Sequence, residues 1–141
     1  AGALFDRAAG EAGLDRKAAY VTNSVKHFKF QPRGKRRIHQ KPDAGEVQAC
    51  KWWLDQERAL LRPRLILSMG ATALQSLTGD GKGILKRRGA LEQAEDGTPV
   101  FVTVHPSYLL RLPDPDLKNR EYSHFVDDLR AAMSELTARA A

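Results

Sequence analysis

The sequence predicts an α/β fold: a mostly parallel central sheet flanked by helices, in one domain spanning residues 1–141. Short apolar, β-prone runs alternate with amphipathic stretches of helical period, the signature of strands crossed by helices. A glycine separates the run Arg64–Met69 from the helix-like Ala71–Leu77. The turn-forming Glu95-Asp96-Gly97 joins two further strand-like runs. With 141 residues and 42% hydrophobic composition the chain can bury one core of ordinary size.

In chain order, residues 3–13 read as a short amphipathic helix with Leu4, Phe5, Ala8 and Ala12 on one side and Gly13 as its stop. Ala18–Thr22 is short, apolar and β-prone and reads as a buried strand. Asn23 to Ala44 has no period and holds Pro32, Gly34 and Pro42, so it reads as a long loop. Asp43 can cap the next helix, with Glu46 as its box partner, and Pro63 ends that helix after Leu61. In that helix Trp52 and Trp53 read as core or sheet-covering residues. Gly79–Arg88 reads as an exposed segment rich in glycine and lysine. Ala90–Gln93 and Pro99–Val104 read as strands. Asp114 or Asp116 starts a last helix whose Tyr122, Phe125, Val126, Leu129, Met133 and Leu136 recur at helical spacing.

Composition excludes several classes. One cysteine, Cys50, rules out an intrachain disulfide framework, and no Cys/His spacing reads as a zinc finger. No apolar run approaches the roughly 18 residues of a membrane span, and no signal segment opens the chain. A monomer in a reducing cytoplasm is the expected setting. The net charge of +6 is modest but uneven. All nine charged residues from Arg16 to Pro42 are basic, and Phe28 and Phe30 interleave with them. A one-sign stretch with aromatics suits phosphate and stacked bases.

In open α/β sheets, sites form beyond the carboxyl ends of the strands. Three polar or glycine positions reach that edge in this reading: Asn23, Gly70 and His105. At Gly70 a phosphate-binding turn and close packing are both open, and packing is the commoner reason for a single glycine.

Three segments then carry a resemblance. They are Val21-Thr22-Asn23-Ser24-Val25-Lys26-His27-Phe28, Lys35-Arg36-Arg37-Ile38-His39 and His105-Pro106-Ser107-Tyr108-Leu109-Leu110-Arg111. Together they resemble the UdgX group of uracil-DNA-binding glycosylases, related to the family 4 uracil-DNA glycosylases. The KRRIH segment is the part specific to that group. The resemblance implies that uracil is flipped from DNA and its N-glycosidic bond cleaved. Asn23 would read the Watson–Crick edge, since one amide offers a donor and an acceptor. His105 would stabilise the departing uracil anion through O2. His39 would attack the sugar carbon and stay covalently bound. A neutral imidazole is nucleophilic, with an ordinary pKa of about 6.5, and adjacent cations disfavour its protonated form. Lys35, Arg36 and Arg37 would hold the DNA backbone. Ser107, Tyr108, Leu109 and Leu110 would form a loop pressing into the duplex, and Arg111 would meet a phosphate. The implied partner is uracil-containing DNA, single-stranded by preference, with no membrane.

The sequence departs from that pattern at its start. The group's upstream glycine-rich segment, with an assisting acid and an aromatic that stacks on uracil, has no counterpart, so the resemblance covers the C-terminal part of the family domain and implies that the first strand is missing. The group also carries a 4Fe–4S cluster. Cys50 stands at the place of one ligand, but four thiolates are the usual requirement, so this chain alone is not expected to hold the cluster. The alternative function is a non-catalytic DNA-binding module using the same basic segment.

Overall fold

The structure, a computed structural model, describes residues 2–15, 17, 19–21, 30–33, 36–39 and 54–140, with 30–33 and 36–39 described as backbone. The chain divides into two compact units, Ala1–Val21 with Arg64–Ala141 and, separately, Thr22–Pro63.

The first unit is built on the apolar run at 99–104. Val100, Phe101, Val102 and Thr103 are all buried, and a strand covered on both faces reads as a continuous apolar run. This strand, β5 (Pro99–Thr103), is the middle of a three-stranded sheet with β3 (Ile66–Met69) on one side and β4 (Leu91–Gln93) on the other. Ile66 lies opposite Val100 and Met69 opposite Thr103 in a parallel pair. Leu91 lies opposite Phe101 in an antiparallel pair. The turn at 95–97 closes that hairpin: Gly97 adopts φ +88, and the Ala94 amide donates to the Thr98 carbonyl at 2.8 Å. A tight turn joins only antiparallel strands, so the α/β expectation holds with a mixed sheet in place of a mostly parallel one.

Helices α1 (Gly2–Ala12) and α6 (Pro115–Ala140) pack together beside this sheet. Phe5, Ala8 and Ala9 of α1 join Val104, Leu109, Phe125, Val126 and Leu129 in one core cluster. Gly13, at φ +80, ends α1 in the left-handed region, and the Leu14 amide reaches back to the Ala9 carbonyl at 2.8 Å. Asp114 caps α6 by accepting from the Asp116 amide at 3.1 Å. Both helix ends fall where the sequence marks them. The Tyr122 hydroxyl donates to Glu11 at 2.8 Å, and the Arg7 guanidinium lies 4.4 Å from the Tyr122 ring centroid. Burial, with the bond to Glu11, pushes the Tyr122 phenol above its usual range. Phe125 is fully buried, so Phe125→Ala is expected to remove about 3–5 kcal/mol of stability. The half-exposed Leu85, changed to Ala, is expected to stay within about 0.5 kcal/mol. Urea midpoints of the two variants check the contrast.

The described part of the run expected as the Ala18–Thr22 strand does not bear that expectation out. Residues 19–21 form no strand, and Tyr20 and Val21 are 60% and 48% exposed. β propensity expresses packing against neighbouring strands, and no described strand pairs with this run.

In the second unit the segment read as a loop contains a hairpin. Strands β1 (Phe30–Arg33) and β2 (Arg36–His39) pair antiparallel, with Phe30 opposite His39 and Arg33 opposite Arg36. Pro32 is tolerated because a two-stranded ribbon has an outer edge that needs no donor. The basic composition hides the pairing, since it leaves no apolar/polar alternation to read. Helix α2 (54–61) ends at Arg62, whose amide donates to the Arg58 carbonyl at 2.8 Å, one residue before Pro63. Asp43, Glu46, Trp52 and Trp53 lie outside the described residues. No helix among the described residues is long and apolar enough to cross a membrane.

Candidate active site

The carboxyl ends of β3 and β5 lie side by side, and each delivers one residue to the same point. Gly70 follows β3 at φ +93, precedes helix α3 (Ala71–Thr78) and donates its amide to the Thr103 carbonyl at 2.9 Å. A Cβ built on Gly70 would stand 3.0 Å from the Cβ of His105. The glycine is therefore demanded twice, by its backbone angle and by the close approach of His105. Of the two readings open at this position, packing is the one observed.

His105 leaves β5 two residues after its end and caps helix α5 (Pro106–Leu110). Pro106 occupies the first turn, where a missing N–H does no harm. The Ser107 backbone amide donates to His105 Nδ1 at 3.0 Å, and the Ser107 hydroxyl lies 2.9 Å from the same nitrogen. A backbone amide can only donate, so Nδ1 must offer its lone pair. With Nδ1 as the acceptor, the neutral ring has its proton on Nε2. This is the tautomer that presents an N–H to a developing anion.

The segment after His105 is a helix where a loop was expected, and this changes what it can present. Leu109 is fully buried in the core cluster, so it cannot enter a duplex. Leu110, on the other side of the turn, is 50% exposed. Tyr108 is half-buried against the core. Arg111 is exposed, and its amide closes the helix on the Ser107 carbonyl at 3.2 Å. Of the expected apolar pair, only Leu110 is available to a ligand.

A buried charged cluster lies behind this edge, and the sequence reading missed it. The Asp128 carboxylate on α6 accepts from the Thr103 hydroxyl at 2.8 Å and from Arg88 Nε at 3.1 Å. The side chains of Arg88 and Asp128 are each only 5% exposed. Arg88 also pairs with Glu121. The sequence did contain a signal: Asp128 sits among Phe125, Leu129 and Ala132 on the apolar face of α6, where an unpaired acid would be costly. The segment Gly79–Arg88, expected to be exposed, is exposed at most of its positions, but it holds the short helix α4 (Ile84–Arg87), after which the Arg88 side chain turns inward. Beside it, the hydrogen bond from Arg87, reinforced by its charge, holds the Glu92 carboxyl below its usual range.

The remaining expected site residues divide in two. Arg36, Arg37 and His39 lie on the backbone of β2, in the second unit. Asn23, Lys35 and Cys50 lie outside the described residues. Among the described residues no group of three or more His, Cys, Asp or Glu can hold a metal ion. The chain has one thiol, and a donor set with one thiol does not fit a 4Fe–4S cluster.

Comparison with known proteins shows the family. The model of the uracil DNA glycosylase superfamily matches residues 1–130. A type-4 uracil-DNA glycosylase of Thermotoga maritima is 36% identical over 120 residues, covering 84% of this chain and 58% of that protein. One of Pyrobaculum aerophilum is 34% identical over 124 residues, covering 80% of this chain and 58% of that protein. The chain thus spans less than two thirds of the length of these relatives. An α/β sheet whose strand ends converge on Gly70 and His105, within a match that runs from residue 1 to residue 130, gives the conclusion that this chain belongs to the uracil DNA glycosylase superfamily.

Proposed function

We propose that this protein flips uracil out of DNA, cleaves its N-glycosidic bond and is captured on the sugar by His39. The observation that carries the reading is the position of His105 at the carboxyl end of β5, with its Nδ1 accepting from the Ser107 amide, an arrangement that leaves Nε2 as the N–H of a neutral ring. Cleavage breaks the bond between the sugar C1′ and uracil N1, and the electron pair leaves with the base. His105 Nε2–H donates to the O2 of the departing anion, where charge accumulates. The sugar is left as an oxocarbenium ion. The neutral His39 imidazole adds to C1′, and the new C–N bond holds protein and DNA together. Asn23 selects uracil through its amide. Leu110 takes the place vacated by the flipped base, and Arg111 with Lys35, Arg36 and Arg37 holds phosphates. The protein acts as a monomer on single-stranded DNA by preference.

The test is a denaturing gel of the full-length protein incubated with a single-stranded oligonucleotide containing one uracil. A band that survives heat and detergent is expected. Strand scission by alkali without that band means release to water and removes the capture step. An intact oligonucleotide that only shifts on a native gel reduces the protein to a DNA-binding module.

Two further outcomes separate affinity from selectivity. Replacing Lys35, Arg36 and Arg37 with Ala is expected to weaken binding and flatten its salt dependence by a log–log slope of roughly 0.7 per lost phosphate contact on single strands. A titration across salt concentrations measures it, and an unchanged slope shows that these side chains do not touch phosphate. Asn23→Asp turns an amide donor into an acceptor, so preference is expected to move toward the cytosine edge or vanish. Competition between uracil- and cytosine-containing oligonucleotides reads the change.

A further inference from the structure

The cluster of Thr103, Asp128, Arg88 and Glu121 has no part in the chemistry above, yet its bonds converge on the strand that delivers His105. A buried ion pair is often no more stabilising than apolar side chains of the same volume. Stability alone therefore does not account for burying Arg88 and Asp128 here. Their geometry does something more specific.

Thr103 is the last residue of β5 and is fully buried. It is gripped from both ends. Its hydroxyl donates to Asp128 at 2.8 Å, and its carbonyl accepts from Gly70 at 2.9 Å. Asp128 cannot drift, because Arg88 Nε holds the same carboxylate oxygen at 3.1 Å. Arg88 is itself fixed by Glu121, which lies two helical turns before Asp128 on the same face of α6. The backbone after Arg88 adds a third hold. Gly89 donates to the Val102 carbonyl at 2.7 Å, and Val102 donates to the Ala90 carbonyl at 3.0 Å. Gly89 is at φ +77, and a Cβ there would stand 3.2 Å from Asp128 Oδ1. The end of β5 is thus clamped by α6, by the segment 88–90 and by Gly70, and His105 follows two residues later.

We propose that Thr103, Asp128 and Arg88 are positioning residues that set where His105 leaves the sheet. The proposal rests on the reading of His105 as the donor to the departing base. The logic is one of tolerance. A donor must stand within about 0.5 Å of its working place, and displacement by about 1 Å can cost 10²-fold in rate. Valine has the shape of threonine without the hydroxyl. It would fill the same space at 103 and release the strand end from α6.

The experiment compares Thr103→Val with Thr103→Ser in the full-length protein. Single-turnover uracil release is expected to fall about tenfold in Thr103→Val, at an unchanged half-saturating DNA concentration. Thr103→Ser, which restores the hydroxyl, is expected to return to within about twofold of the parent. Without DNA, the ring nitrogens of His105 are read by long-range ¹H–¹⁵N spectra, assigned by difference against His105→Gln. They are expected to show the Nε2–H tautomer in the parent and in Thr103→Ser, and to shift or broaden in Thr103→Val. An unchanged rate with unchanged ring signals in Thr103→Val overturns the proposal, as does a Thr103→Ser variant as slow as Thr103→Val. If Thr103→Val does not fold, Glu121→Gln loosens Arg88 from further away, with a two- to threefold loss expected and an unchanged rate counting against the network. A parent protein that releases no uracil defeats the functional reading, while the ring signals of His105 still decide the positioning.

Discussion

Replacing His105 with Asn is expected to lower single-turnover uracil release by about 10²–10³-fold, the loss typical of removing one donor from a developing oxyanion. Asparagine is the informative substitution. His105 caps α5 through the Ser107 amide, and Asn is among the best residues for accepting that bond. The variant therefore keeps the helix and loses only the Nε2–H. His105→Ala removes both and is expected to lose about 1 kcal/mol of stability besides. Binding of uracil-containing DNA changes little in either variant, because base selection is assigned to Asn23 and phosphate contact to the basic segment. Rate under single turnover and affinity by titration separate these effects. An Asn variant with the parent's rate would remove His105 from the chemistry.

His39→Ser is expected to abolish the proposed covalent adduct. An oxocarbenium ion is short-lived, so capture needs a nucleophile already at near-attack distance, roughly 3–3.5 Å. A free loop would rarely hold one there. The residue instead ends a paired strand, opposite Phe30 and at the end of the hairpin away from its turn. Backbone pairing limits where it can go, and the cations Lys35, Arg36 and Arg37 precede it on the same short segment. In the serine variant water reaches the sugar cation. Uracil release with turnover and no heat-stable band is the expected result. A His39→Ser protein that still forms the band shows that another residue is the nucleophile.

The α/β class, helices α1 and α6, the strand–glycine–helix step at Gly70 and the hairpin closed at Gly97 were all legible in the sequence. Each is written in a few adjacent residues: an apolar period, a capping Asp114, a glycine at the point of reversal. The family was legible for the same reason, since short segments of the chain resemble it. Tertiary structure alone decided the rest. Leu109 and Leu110 are neighbours of equal hydrophobicity, and only the packing of α5 against Phe5 and Phe125 buries one and exposes the other. The run at 18–22 has strand propensity, but a strand needs a partner. The basic segment at 30–39 lacks alternation, yet it pairs. The tautomer of His105 depends on a turn that folds the Ser107 amide back onto its ring. Arg88 and Asp128 are 40 residues apart, and Thr103 and Asp128 are 25 apart. Period and capping are local, whereas burial of a charge is settled by whatever the chain brings to it from far along the sequence.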